Sequence, residues 1–398
     1  MSTPAATPIT RPTAIGPESD WRREFYDFEN VVYLNAAGNA PIPRVAVKAL
    51  ERAVEMKKLP YLQEDEHYFG LPDRVRALLA RLIGGQPQEI AVTTGASTGL
   101  AAVARGMEWK PDDEVLIAHG EFPAHFSTFV PLAHAGKLRV QVVERAGANI
   151  TADDFIARIG KNTRLVSASL VRFDDSARLD AARLAAACKS AGVYFLLDVS
   201  QAAGAVPLDI RAMGADFAVC SGYKWLLSPF GTGFFWIRQE LVEQMQRQPF
   251  YWMALQGASK FHSLSFQTSQ IVPERDEARR WDAPETSSFF HLAVMEASLE
   301  FLHRVGVPVV WQHIEGLLQQ VAERLPVDRC VLSSPRPSES RGPYVCVKGR
   351  SPERTSELYG RLREEKIYVS LREAALRIAP HLYNTPRDMD RLLAVLAV

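Results

Sequence analysis

Cysteine is scarce and unpaired in this sequence. The four that occur in its 398 residues, Cys188, Cys220, Cys330 and Cys346, form no CxxC and no regular framework, and Cys220 and Cys346 sit in apolar, strand-like runs. A disulfide scaffold is thereby excluded, and a reducing compartment, the cytoplasm, is the expected location. Excess charge is missing as well, since 46 Lys and Arg balance 46 Asp and Glu. Nothing in that balance attracts nucleic acid or an anionic membrane, so a small molecule is the expected partner. No stretch approaches the length of an apolar membrane span. There is no HExxH and the nine histidines show no ligand-like spacing, so no metal is expected. No GxGxxG follows a strand-like run, which argues against a nicotinamide-dependent dehydrogenase. The opening "MSTPAATPITRPTAIGPESD" lacks an apolar segment, and residues 1–20 read as a flexible arm, not a signal peptide.

What the sequence does have is alternation. From about Glu89, "EIAVTTG", "DEVLIAHGEF", "LRVQVVE", "TRLVSASLV", "VYFLLDVSQ", "DFAVCSGYK" and "GTGFFWIR" are short apolar runs, separated for the most part by helix-like segments such as "STGLAAVARGMEW" and "LDAARLAAACKSAG". Continuous apolar character in strands flanked by helices predicts an α/β fold with a mostly parallel sheet buried on both faces. After about Phe289 come longer amphipathic helices and the strands "RCVLSS", "PYVCVKG" and "LRIAP", closing on "TPRDMDRLLAVLAV" with a Thr-Pro helix start. The expected division is a large domain over 21–288 and a smaller α+β domain over 289–398. The segment before Glu89 contributes to both.

In parallel sheets ligands gather beyond the carboxyl ends of strands, which draws attention to Gly95–Thr98, Glu121, Phe122, Asp198, Gln201 and Ser221–Lys224. "TTGASTGL" follows a strand and opens a helix, a natural phosphate seat, or equally an ordinary capped helix start. The same letters fit GxSxG, the nucleophile elbow of a serine hydrolase, with Ser97 as nucleophile and Asp198 and His381 as nominal partners. A carboxylate closing the buried run "VYFLLD" is costly without a cation or donors to face. Lys224, lodged between a tyrosine and a tryptophan in "CSGYKWLLSPFGTGFFWIR", must reach water or be worth burying. An acid and an amine on neighbouring strand ends suggest something held between them.

The stretch "LLDVSQAAGAVPLDIRAMGADFAVCSGYKWLLSPFGTGFFWIR" resembles the core of fold-type I enzymes dependent on pyridoxal 5′-phosphate (PLP), in the class V aminotransferase group with cysteine desulfurases, kynureninases and isopenicillin N epimerases. The likeness extends from "YLNAAGNAPIP" to "LRIAPHLYNTPRDMDRL". It implies the PLP-dependent transferase fold with a seven-stranded sheet. It also makes Lys224 the Schiff-base lysine and later a base at Cα, Asp198 the acid paired with the pyridine nitrogen, and Gln201 the residue at the phenolic oxygen. On the phosphate side it places Ala96, Ser97, Ser221 and Tyr223, with Thr286 reaching across a homodimer interface, and it puts Phe122 on the ring. Arg377 falls where the family binds the substrate carboxylate, and Arg172 and Asn35 fall on the substrate side.

Departures narrow the reaction. "KIYVSLREAALRI" holds no cysteine where desulfurases carry their nucleophile, and Gln201 stands where kynureninases have histidine. The expected activity is Cα deprotonation of a small amino acid followed by β-elimination, of C–S lyase type, or by epimerisation. A class V aminotransferase is the alternative, and the serine hydrolase is a remote one.

Overall fold

The structure, a computed structural model, describes residues 20–246, 248, 251–259, 274–285 and 288–398. Thr286 and the expected arm, apart from Asp20, lie outside the described residues. The described chain opens on strand β1 (Val32–Tyr33) and helices α1 (Arg44–Lys58) and α2 (Leu71–Ile83). Each apolar run from Glu89 onward then forms a strand: β2 (Ile90–Thr93), β3 (Glu114–Ala118), β4 (Arg139–Val143), β5 (Thr163–Ser169), β6 (Tyr194–Asp198), β7 (Phe217–Ser221) and β8 (Gly233–Ile237). Between them lie α3 (Ala96–Gly106), α4 (Pro123–His134), α5 (Ala152–Ile156) and α6 (Ala181–Ala191), and a short α7 (Gln239–Val242) follows β8.

These seven strands make one sheet in the order β2-β8-β7-β6-β5-β3-β4. β8 is antiparallel to both β7 and β2, and the other neighbours are parallel, so every strand but β8 runs the same way. The alternation of side chains explains why the runs are apolar throughout. Leu116, Leu197 and Ala218 join the apolar cluster on one face, while Val115, Ile117, Leu196, Phe217 and Val219 join the cluster on the other. Both faces are dry, as a helix-covered parallel sheet requires.

One buried ion pair pins the edge strand β2. Asp282 accepts from Arg76 through both oxygens, at 2.7 and 2.6 Å, and from the backbone N–H of Val92 at 2.9 Å. Arg76 is buried. Asp282→Ala is expected to leave that buried charge only the more exposed Asp73, 3.5 Å away, and cost about 3 kcal/mol, read as a lower urea midpoint. A loss below about 1 kcal/mol would show that the clamp does not hold β2.

The rest of the chain is α8 (Phe289–Val305), α9 (Val307–Arg324), β9 (Cys330–Leu332), β10 (Val345–Gly349), α10 (Pro352–Glu364), β11 (Ile367–Tyr368), β12 (Ser370–Arg372), β13 (Ala375–Ile378) and α11 (Pro386–Ala397). An antiparallel sheet runs β12-β13-β10-β9. β1 pairs in parallel with β11, and Asn35 bridges to Ala379, so an amino-terminal segment is stitched into the carboxyl-terminal sheet. α11 begins as its Thr-Pro signal predicts, with Thr385 as N-cap, Pro386 first in the helix and Asp388 completing a capping box.

Candidate active site

The carboxyl ends of β2, β3, β5, β6 and β7 share one edge of the large sheet, and the singled-out residues lie there. The loop after β2 turns through Gly95 (φ 155°) into α3, where the Ala96 N–H donates to Ser221 Oγ at 3.2 Å. The loop can sit this close only because Gly233 of the antiparallel β8 has no side chain: a Cβ there would stand 2.6 Å from Gly95 Cα and 2.4 Å from the Cys220 carbonyl. Ser97 is exposed on the first turn of α3, whose leading N–H groups face outward. The Ser221 N–H donates to Ser200 Oγ at 2.9 Å, tying the ends of β6 and β7 together.

Lys224 follows β7 and is only 6% exposed. Among the described residues its amine closes no ion pair; it lies 5.2 Å from the Phe122 ring centroid and 5.7 Å from that of Tyr223. Burial pushes the amine down, Asp198 pulls it back up and Arg377 pushes it down again, leaving a pKa of about 8. The neutral amine is the nucleophile, so the rate at which cofactor-free protein takes up an aldehyde should rise with pH and level off above about 8. Continued rise toward the ordinary lysine value of 10.5 would place the amine in water instead.

Asp198 closes β6. Its Oδ1 accepts from the Ser200 N–H at 2.7 Å, and its Oδ2 lies 3.7 Å from His125 Nε2. Burial alone would raise this carboxyl, but the neighbouring imidazole and the Ser200 side of the turn outweigh it and hold the pKa below the usual carboxylate range. His125 is completely buried on α4, with Nδ1 2.7 Å from Ser167 Oγ. Burial lowers its pKa, yet Asp198 and Glu121 outweigh that and raise it. His125 is the site residue that sequence reasoning missed. Its only sequence signal is its place one helical turn after Phe122 in "GEFPAHF".

Gln201 accepts from the Trp225 indole N–H at 2.9 Å and donates to the Ala37 carbonyl at 3.1 Å, so its amide is fixed by protein. Phe122 meets Phe173 edge to face with centroids 5.5 Å apart, and Tyr223 stacks on Phe230 at 4.1 Å. Arg377 is 2% exposed and has no carboxylate partner among the described residues. Its Nη2 donates to Ser370 Oγ at 3.2 Å, its Nη1 to the Phe173 carbonyl at 3.3 Å, and Ser370 Oγ in turn donates to Asn35 Oδ1. Arg172 is differently placed. It donates to the His119 and Gly120 carbonyls and to Asp174 at 2.9 Å, with Glu121 3.9 Å away, so its charge is matched within the protein.

A Ser97–His381–Asp198 triad does not assemble. His381 is sealed between Trp225 and Tyr383, its Nδ1 accepts from the Leu382 N–H at 2.8 Å, and burial drives its pKa down to about 3. The imidazole beside Asp198 is that of His125, so the hydrolase alternative is set aside.

Residues 32–392 match the class V aminotransferase family. The chain belongs to that family. It is 26% identical over 380 residues to isopenicillin N epimerase of Streptomyces clavuligerus, covering 91% of this chain and 93% of that one. Among solved structures, the cystine C–S lyase C-DES in complex with cysteine persulfide superposes with a TM-score of 0.83 at 21% identity, covering 93% of this chain and 98% of that one. The apo cysteine desulfurase of Thermococcus onnurineus gives 0.82 at 18%, covering 96% and 98%.

As a class V member the protein is a PLP-dependent enzyme. Its residues fit that cofactor. The Lys224 amine and the Asp198 carboxylate influence each other's titration without closing on one another, Phe122 lies on the same side as the amine, and the glycine-backed loop at Gly95–Ser97 leaves an anion seat at the start of α3. Among the described residues no helix is long and apolar enough to cross a membrane, and no cluster of metal-ligating side chains occurs.

Proposed function

We propose that this PLP enzyme removes the Cα proton of a small amino acid and then expels a β-substituent, as a C–S lyase does, or returns the proton to the opposite face, as an epimerase does. Bound PLP supplies an electron sink for charge developing at Cα. Lys224 holds the cofactor and then takes the Cα proton, which suits an amine with a pKa near 8. Asp198 stays ionised and keeps a proton on the facing ring nitrogen, and Gln201 bonds the phenolic oxygen. Ala96, Ser97, Ser221 and Tyr223 would seat the phosphate. Arg377, short of a counter-ion, takes the substrate carboxylate as a two-pronged donor beside Asn35. Exposed Tyr61 and Phe230, at 77% and 59%, offer apolar surface for the homodimer that this reading includes.

The observation that sets this reading apart from a cysteine desulfurase is the state of the thiols. All four cysteines are buried, and burial raises Cys188 and Cys346 to about 12 and Cys220 higher still. No thiolate is available to accept sulfur, so persulfide transfer through a protein cysteine is disfavoured. Incubating the enzyme with a β-substituted alanine in deuterated water should release ammonia and pyruvate deuterated in its methyl group without added keto acid if the enzyme eliminates, or return amino acid of the opposite hand with deuterium at Cα if it epimerises. Nitrogen transfer that requires a keto acid would make it an aminotransferase instead. Neither pyruvate release nor inversion at Cα, with a range of small amino acids, would defeat the lyase and epimerase readings together.

A further inference from the structure

We propose that Arg372 forms a second anion subsite, so that the amino acid taken by this enzyme carries an acidic group on its side chain as well as its α-carboxylate. This rests on the function proposed above and refines its substrate class.

The β12–β13 hairpin sets the geometry. Ser370 pairs with Arg377 and Arg372 with Ala375. Side chains alternate along a strand, so Arg372 projects from the same side of β12 as Ser370, the residue whose hydroxyl touches both Arg377 and Asn35. Arg377, opposite Ser370 on β13, is therefore the diagonal neighbour of Arg372 across the hairpin, a spacing of about 7–8 Å from which two long-armed guanidiniums can close on both carboxylates of one dicarboxylic amino acid. The two residues that turn the hairpin, Glu373 (φ 44°) and Ala374 (φ 59°), are both left-handed without being glycine. Such a turn is strained, and it delivers Arg372 opposite a small alanine at the head of β13.

The charges support the same reading. Arg372 is exposed, its guanidinium hydrogen bonds only to the adjacent Leu371 carbonyl, at 3.3 Å, and no carboxylate among the described residues pairs with it. Arg172 is balanced by Asp174 and Glu121, and Asp198 is engaged by His125 and Ser200. Arg372 and Arg377 are therefore surplus cations on one face. Each also disfavours protonation of Lys224, and Arg372 disfavours the charge on Arg377. A ligand with one negative group relieves only one of them, whereas a dianion relieves both.

The test is a spectral titration of the holoenzyme with L-glutamate, L-glutamine, L-aspartate and L-asparagine, following the bound cofactor's visible band. The acids should bind at least about tenfold more tightly than their amides. Arg372→Gln should bring the acid-to-amide ratio within about twofold, and Arg372→Lys should keep part of it. Equal affinities for acid and amide in the wild type overturn the subsite. So does an Arg372→Gln variant that weakens acid and amide by one common factor, since Arg372 would then serve the α-carboxylate. The proposed function fails separately, and takes this assignment with it, if no amino acid of either kind perturbs the band.

Discussion

Lys224→Ala is expected to lower turnover by about 10³-fold or more while leaving the fold intact. The residue sits in the crossing between two buried strands, but its Nζ makes no hydrogen bond among the described residues, so truncation breaks no network and its effect is chemical. The cavity left by the side chain should admit a small primary amine, and part of the lost rate should return when one is added. A variant that keeps near-normal turnover would mean that the base at Cα lies elsewhere. A variant that precipitates or melts many degrees lower would mean that Lys224 is a packing residue and the electrostatic reading of its burial is mistaken.

Asp198→Asn should have an effect of similar size, on the order of 10³-fold in kcat, with a smaller change in KM. Asparagine keeps an acceptor for the Ser200 N–H, 2.7 Å away, but removes the negative charge. Two consequences separate this from simple disruption. First, if Asp198 is what favours a proton on the cofactor's ring nitrogen, as proposed, the pH dependence of the bound cofactor's absorbance should shift. Second, His125 would lose the carboxylate that, with Glu121, outweighs its burial, so its pKa, raised in the wild type, should fall. The sign matters: Asp198 raises the His125 pKa, so neutralising Asp198 lowers it. An unchanged His125 titration in the variant would show that Glu121 alone sets it.

How much of this was legible in the sequence varies residue by residue. Lys224 and Asp198 stand out because a charged group inside a run of strand-forming apolar residues is expensive, and the expense itself marks the site. The central strands of the large sheet are legible because both their faces are buried and most of their positions are apolar, whereas the edge strand β4 (RVQVV) is partly exposed. Direction is not legible: β8 reads like its neighbours yet runs opposite, because Phe234 to Ile237 are buried either way. β1 and β11 are two-residue strands and β12 has three residues, too short for any periodicity to declare itself, and the pairing of β1 with β11, Val32 against Ile367, emerges only in three dimensions. His125 is hidden because a lone histidine on a helix gives no sign of which way it faces. Arg172 and Arg377 look alike in sequence. Only the structure tells a guanidinium matched by Asp174 from one with no carboxylate partner among the described residues.

The central claim is that the buried amine of Lys224 is the covalent anchor for PLP. Borohydride reduction of the holoenzyme, followed by proteolysis and mass mapping, tests it most directly. The expected result is one phosphopyridoxyl adduct on the peptide carrying Lys224. An adduct on any other lysine, or an unmodified Lys224 in protein that retains its cofactor, would contradict it.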